Sequence, residues 1–146
     1  MKLSKTRLME IIKEEGGIIL KPYQDHLGFW TIGAGHLIRD HEKTELMQGI
    51  TYEQGLAMFL KDFNVSVKDM ETFSDGMELP DIAKECILHM VFQLGLPKLN
   101  KFKKFKQCLI EKNFAGAIVE MKDSRWYNQT TNRANRLIKK MEELTK

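Results

Sequence analysis

Leu8, Ile11 and Ile12 recur at helical spacing over residues 4–15, on a single stripe between charged and polar positions. Ser4 stands before the stripe as an N-cap and Gly16 after it as a stop. One carboxylate, Glu15, is in phase with the apolar residues, whereas Glu14 sits about a hundred degrees round the helix and faces water. Between 18 and 38 the period shortens. Three β-prone runs, Ile18–Tyr23, Phe29–Ile32 and His36–Ile38, are separated by turn residues at 24–28 and 33–35, which predicts an antiparallel sheet of three strands. A short helix over Glu42–Gln48 follows, ended by Gly49. Thr51-Tyr-Glu-Gln54 has the form of a capping box and opens a long helix carrying Leu56, Phe59, Leu60, Phe63, Val67 and Met70. Ser74-Asp75-Gly76 breaks it. Pro80 opens a further helix that runs to Gly95, and its stretch Cys86–Leu94 is apolar nearly all round, as a central buried helix is. Helical spacing returns over about 100–112, about 114–122 and about 132–145, with Asn113 and Asn132 as caps.

The pattern predicts one α+β domain, mainly helical. A small three-stranded antiparallel sheet lobe (about 16–50) is joined by a long helix (about 52–73) to a helical bundle lobe (about 78–146 with residues 1–15). A cleft between two such lobes is where a ligand is expected to bind.

Composition narrows the partners. With 146 residues, 42% of them hydrophobic, the chain can bury a core, and no apolar run is long enough to cross a membrane. Arg7, Glu10, Lys13 and Glu14 interrupt the N-terminal apolar residues, so no signal-peptide core is present and a cytosolic product is expected. Cys86 and Cys108 lack metal or redox spacing and read as small, buried or half-buried side chains. The net charge of +3 favours approach to an anionic polymer without choosing one. Lys98–Lys106 interleaves lysine with phenylalanine, as a nucleic-acid surface does. Yet Phe102, Phe105 and Leu109 fall on one helical stripe, so an amphipathic helix with a solvated lysine face is the expectation.

Chemistry concentrates in the first forty residues. A carboxyl on an apolar face is desolvated, which raises its pKa and lets it hold a proton for a leaving group; Glu15 is placed for that role. Asp25 occupies the turn between the first two strands, where aspartate is also a common turn former. Thr31 is a β-branched strand residue. Gly33-Ala-Gly35 is no phosphate loop, and none of the four histidines, His36 included, has metal-ligand spacing.

The stretch from Glu15-Gly16 through Leu20-Lys-Pro-Tyr23-Gln-Asp25-His-Leu-Gly28-Phe-Trp-Thr31-Ile-Gly33-Ala-Gly35-His36-Leu37 resembles the active-site segment of phage-type lysozymes, glycoside hydrolase family 24, and its T-even phage branch above all. Met90-Val-Phe92-Gln93-Leu-Gly95 and Ser124-Arg125-Trp126-Tyr127-Asn128-Gln129-Thr130-Thr-Asn132-Arg133-Ala134 are similar to that family's core helix and bundle motif, and the likeness runs from about residue 5 to about 140. It implies a lysozyme-like fold and a catalytic trio: Glu15 as general acid, with Asp25 and Thr31 positioning and activating the attacking water. It implies cleavage of the β-1,4 bond between N-acetylmuramic acid and N-acetylglucosamine in peptidoglycan with inversion, for which the carboxyls should stand roughly 6.5–9.5 Å apart. Saccharide contacts carry over to Leu37, Phe92, Gln93 and Arg125, and to Phe105 and Glu120, where the family has small or amide side chains. His36 would pair with Asp62 in a structural role joining the sheet lobe to the helical lobe. No metal and no cofactor is implied.

Three departures carry expectations. Glu15 and Asp25 are ten residues apart, one more than is usual, and Gly16-Gly17 is expected to loop out the extra residue. The segment between Leu37 and Thr51 is short, so the sheet lobe should be trimmed. The chain ends at Lys146 without the family's tail, so reduced stability is expected. The resemblance implies a monomeric endolysin made in the host cytoplasm, reaching the wall after a holin-like partner opens the membrane, without nucleic-acid binding or stable membrane insertion. The alternatives are a module of phage entry and an inactive saccharide-binding form of the fold.

Overall fold

A computed structural model describes residues 3–146 of the chain. They fall into two compact units, divided between Asn64 and Val65. The fold is α+β and mainly helical, with one small antiparallel sheet.

The first unit opens with helix α1 (Lys5–Glu14). The Arg7 N–H donates to Ser4 Oγ at 3.1 Å, so the serine caps the helix as its position predicts. At the other end the Gly17 N–H reaches Ile12 O at 2.8 Å and the Gly16 N–H reaches Lys13 O at 3.1 Å. This is a Schellman turn, and Gly16, at φ 101°, supplies the left-handed residue that the turn requires. Strands β1 (Ile19–Gln24), β2 (Trp30–Gly33) and β3 (His36–Leu37) form the sheet in the order β1-β2-β3. Tyr23 faces Thr31 and Ile19 faces Gly33, so β1 uses two more residues than β2 over the same interval. Pro22, which has no N–H to give a ladder, lies in that bulged stretch.

A 3-10 turn (Asp40–Glu42), helix α2 (Lys43–Leu46) and the start of α3 (Tyr52–Phe73) complete the unit. Ile32, Ile38 and Leu46 make its buried cluster, with Ile50 and Met58 packed against it. The capping box at the head of α3 is present in both directions. The Gln54 N–H donates to Thr51 Oγ1 at 3.1 Å, and the Thr51 N–H donates to Gln54 Oε1 at 2.8 Å.

The second unit holds the rest of α3, then α4 (Asp81–Leu94), α5 (Leu96–Leu99), α6 (Lys103–Ile110), α7 (Phe114–Lys122), α8 (Arg125–Gln129), α9 (Thr131–Glu142) and a closing 3-10 turn (Glu143–Thr145). Helix α4 is buried on every side along Cys86–Val91. Against it packs α9, whose Leu137 carbonyl accepts the Cys86 thiol at 3.5 Å, and burial pushes that thiol up to about 12. Asn113 caps α7 by accepting the Gly116 N–H at 3.0 Å.

Two boundaries differ from the sequence pattern. Between Gly95 and the helix expected from about 100, now α6 at Lys103–Ile110, lies a short helix the pattern did not predict, α5, with Pro97 in its first turn. Asn132 is no cap: α9 begins at Thr131 after Thr130, and Asn132 lies in its first turn. Ahead of it, Ser124 Oγ accepts the Tyr127 N–H at 3.1 Å and starts α8, a helix too short to show a period. Among the described residues no helix is long and apolar enough to cross a membrane.

Candidate active site

The end of α1 determines how Glu15 is presented. The residue is the C-cap of the helix, one position before Gly16 turns the chain, and it is 8% exposed. It follows the buried Ile11 by one helical turn, which is why its side chain shares the shielded side. Glu14 is half-buried and engaged elsewhere. Arg7 Nη1 donates to its Oε1 at 3.2 Å and to Glu10 Oε2 at 3.0 Å. Of the two consecutive glutamates, the structure buries the one that the helix phase singled out.

Asp25 and Thr31 are brought together by the hairpin between β1 and β2. The Gly28 N–H donates to Asp25 O at 2.9 Å, with Gly28 at φ 85°, and the Asp25 N–H donates to Phe29 O at 2.9 Å. The loop is thus a turn closed by a left-handed glycine bulge. Asp25 Oδ1 accepts two backbone N–H groups, from Leu27 and Phe29, both at 2.9 Å. Oδ2 accepts none among the described residues and remains open for a water or a sugar hydroxyl. Thr31 is buried at 4% exposure, and its Oγ1 donates to Phe29 O at 3.0 Å. With its proton committed there, the hydroxyl meets any further partner as an acceptor. The backbone of Phe29 therefore holds both side groups: its N–H fixes Asp25 and its carbonyl orients Thr31.

The sheet register sets a row across one face. Thr31 stands opposite Tyr23 on β1 and opposite Leu37 on β3, and Leu37 is exposed. Neither Tyr23 nor the Phe29 backbone was singled out from the sequence. The alternation of β1 could have shown Tyr23, but only once the bulge at Pro22 was known. Glu15 precedes β1 by a short connection through Gly16, Gly17 and Ile18.

His36 on β3 lies between two carboxylates. Its Nδ1 is 2.7 Å from Asp62 Oδ2 on α3, and its Nε2 is 3.1 Å from both Glu42 oxygens. The hydrogen bond to Asp62 raises its pKa above the usual 6.5. Burial opposes that rise, and the charge of Asp62 and the contact with Glu42 add to it. For Glu42, burial alone would raise the pKa. The Arg39 N–H, at 3.1 Å from Oε1, and His36 outweigh it, and the value falls below 4.5. The pairing with Asp62 follows the sequence expectation, but both partners lie in the first unit, and Glu42 is an additional partner. Its spacing from His36 carries no periodic signal.

In the second unit Gln93 accepts the Trp126 indole N–H at 2.7 Å, which holds the end of α4 beside α8. Phe92 and Gln93 are half-buried, and Arg125, next to Trp126, is exposed. Glu120 on α7 is half-buried and lies close enough to help raise the Cys108 thiol, an effect led by burial. Phe105 requires a correction. It is 1% exposed, stacked on Phe73 with ring centroids 6.4 Å apart and edge-on to Phe102. A side chain so enclosed offers no surface to a saccharide, and its role is packing.

Comparison with known proteins agrees with this layout. The family model for phage lysozyme matches residues 13–143. The chain is 34% identical to "Probable T4-type lysozyme 1" of Dictyostelium discoideum, over 92% of this chain and 93% of that protein. It is 32% identical to "Probable T4-type lysozyme 2" of the same organism, over 90% and 91%. It is also 26% identical to the "Pre-baseplate central spike protein Gp5" of Enterobacteria phage T4, over 89% of this chain but 26% of that longer protein. A mainly helical fold with a three-stranded sheet, a shielded carboxyl ending the first helix and a match over most of the chain lead to one conclusion: the chain belongs to the phage lysozyme family and is a glycoside hydrolase.

Proposed function

We propose that this lysozyme is an endolysin that cleaves the β-1,4 bond between N-acetylmuramic acid and N-acetylglucosamine by an inverting acid/base mechanism. Glu15 gives its proton to the glycosidic oxygen. Asp25 Oδ2 and Thr31 Oγ1 both accept hydrogen bonds from one water and turn its lone pair towards the anomeric carbon; as that C–O bond forms and the glycosidic C–O bond breaks, Asp25 Oδ2 takes the water's proton. Leu37, Phe92, Gln93 and Arg125 are the side chains assigned to glycan contact. His36 and Asp62 support the sheet. The protein works as a monomer without a cofactor. It is made in the host cytoplasm and reaches the wall once a holin-like partner has opened the membrane.

The observation that supports this most is the double use of the Phe29 backbone. It leaves one carboxylate oxygen and one hydroxyl of neighbouring groups as acceptors, as water activation requires. The test is to digest purified peptidoglycan and follow the newly formed reducing ends by NMR before they mutarotate. An α-anomer is expected. A β-anomer means retention and would remove the water-positioning roles of Asp25 and Thr31. The similarity to part of a phage spike protein supports a second reading, a domain that acts during phage entry. Clearing of permeabilised cells by the isolated chain supports the endolysin; clearing only when the chain is joined to a larger assembly supports the entry module.

A further inference from the structure

Residues 96–110 contain Lys98, Lys101, Lys103, Lys104 and Lys106 and not one aspartate or glutamate. Outside that segment 18 basic residues face 20 acidic ones, so the excess positive charge of the chain resides there. The structure gives the segment a firm base, because Leu99, Phe105 and Leu109 are buried beneath it. Lys106 is half-buried, with Nζ 4.9 Å above the Phe73 ring. Lys98, Lys101, Lys103 and Lys104 are exposed, and among the described residues none has a carboxylate within 4.0 Å. Concentrating like charges in this way opposes folding.

We propose that the exposed lysines of α5, α6 and the turn between them dock the carboxylate-bearing peptide stems of peptidoglycan and hold the enzyme on its polymer. The inference rests on the muramidase reading above. The charge is complementary, since acetylated amino sugars are neutral and the stems give the wall material its negative charge. A single-stranded nucleic acid would need aromatic rings exposed between the cations, but Phe105 is enclosed and Phe102 half-buried. A bilayer would need an apolar helix face to insert, and the apolar face of α6 is already in the core.

The test measures binding to purified sacculi in a Glu15→Gln background, so that the material is not digested. Replacing Lys98, Lys101, Lys103 and Lys104 together by glutamine should weaken binding roughly tenfold at low salt. The difference should vanish near 0.5 M salt, where screening is nearly complete, and on sacculi whose carboxyls have been amidated. Arginine at the same four positions should keep the affinity. Equal binding by the glutamine variant overturns the proposal. So does a defect that persists on amidated sacculi, or one seen with anionic vesicles or DNA but not with sacculi. With Glu15 restored, both forms should clear sacculi equally at high salt. Failure of the wild type to clear them defeats the muramidase reading and leaves the binding result standing.

Discussion

At the residue scale, Asp25 uses one oxygen for the turn and leaves the other for the proposed reaction. Oδ1 is held by two backbone N–H groups, and Oδ2 is open. Asparagine at this position keeps an oxygen for both N–H groups but turns the open side into a donor. Asp25→Asn should therefore melt within roughly 0.5 kcal/mol of the wild type, while hydrolysis falls by about a hundredfold or more. Calorimetry and a turbidity assay read the two effects separately. His36 calls for a pH series. Its raised pKa means that its contribution is complete below 6.5 and is lost as pH rises through the folded value. The lowered pKa of Glu42 means that its share is complete above 4.5 and is lost as pH falls through its folded value. His36→Asn should cost about 1–3 kcal/mol between those limits, with the gap from wild type narrowing in alkali. A gap that does not change with pH would mean that the histidine acts by packing alone. Glu15 was legible in the sequence because helix phase places it on the apolar stripe. Glu42 and the Phe29 backbone were not, because a 3-10 turn and a peptide group leave no pattern in side-chain identities.

At the element scale, short connections determine what the long elements present. The Schellman turn at Gly16 and Gly17 ends α1 where Glu15 is still shielded. The capping box fixes the start of α3, and Gly55, one turn further on, lets Ile18 lie against the helix. A Cβ on Gly55 would collide with Ile18 Cγ2 and come within 3.3 Å of Ile50 Cδ1. Gly55→Ala should therefore lose about 1–3 kcal/mol from overpacking, although alanine favours a helix by about 1 kcal/mol over glycine. Thermal melting decides the sign, and an increase in stability would show that Ile18 moves aside freely. Helices with three or more turns were legible from their period, and so were the caps at Ser4, Thr51 and Asn113. The short helices α5 and α8 were not, since a helix of four or five residues shows too little of any period.

At the scale of the whole molecule, the candidate groups divide between the two units. The shielded acid, the hairpin and the His36 cluster belong to the first. Phe92, Gln93 and Arg125 belong to the second, with the exposed lysines. The sequence could indicate both groups because the motifs are local. It could not place Phe105, whose burial depends on Phe73, far away along the chain, and whose exposure no local pattern reveals. Turnover belongs to the whole molecule, and it tests the central claim most directly through the two consecutive glutamates. Glu15→Gln and Glu14→Gln should each be assayed for release of reducing ends from purified peptidoglycan, with folding checked by circular dichroism. With Glu15 in the proposed role of general acid, Glu15→Gln should cut the rate by about two to four orders of magnitude, while Glu14→Gln, whose side chain is engaged with Arg7, retains most of it. An active Glu15→Gln, or an inactive but folded Glu14→Gln, would contradict the account.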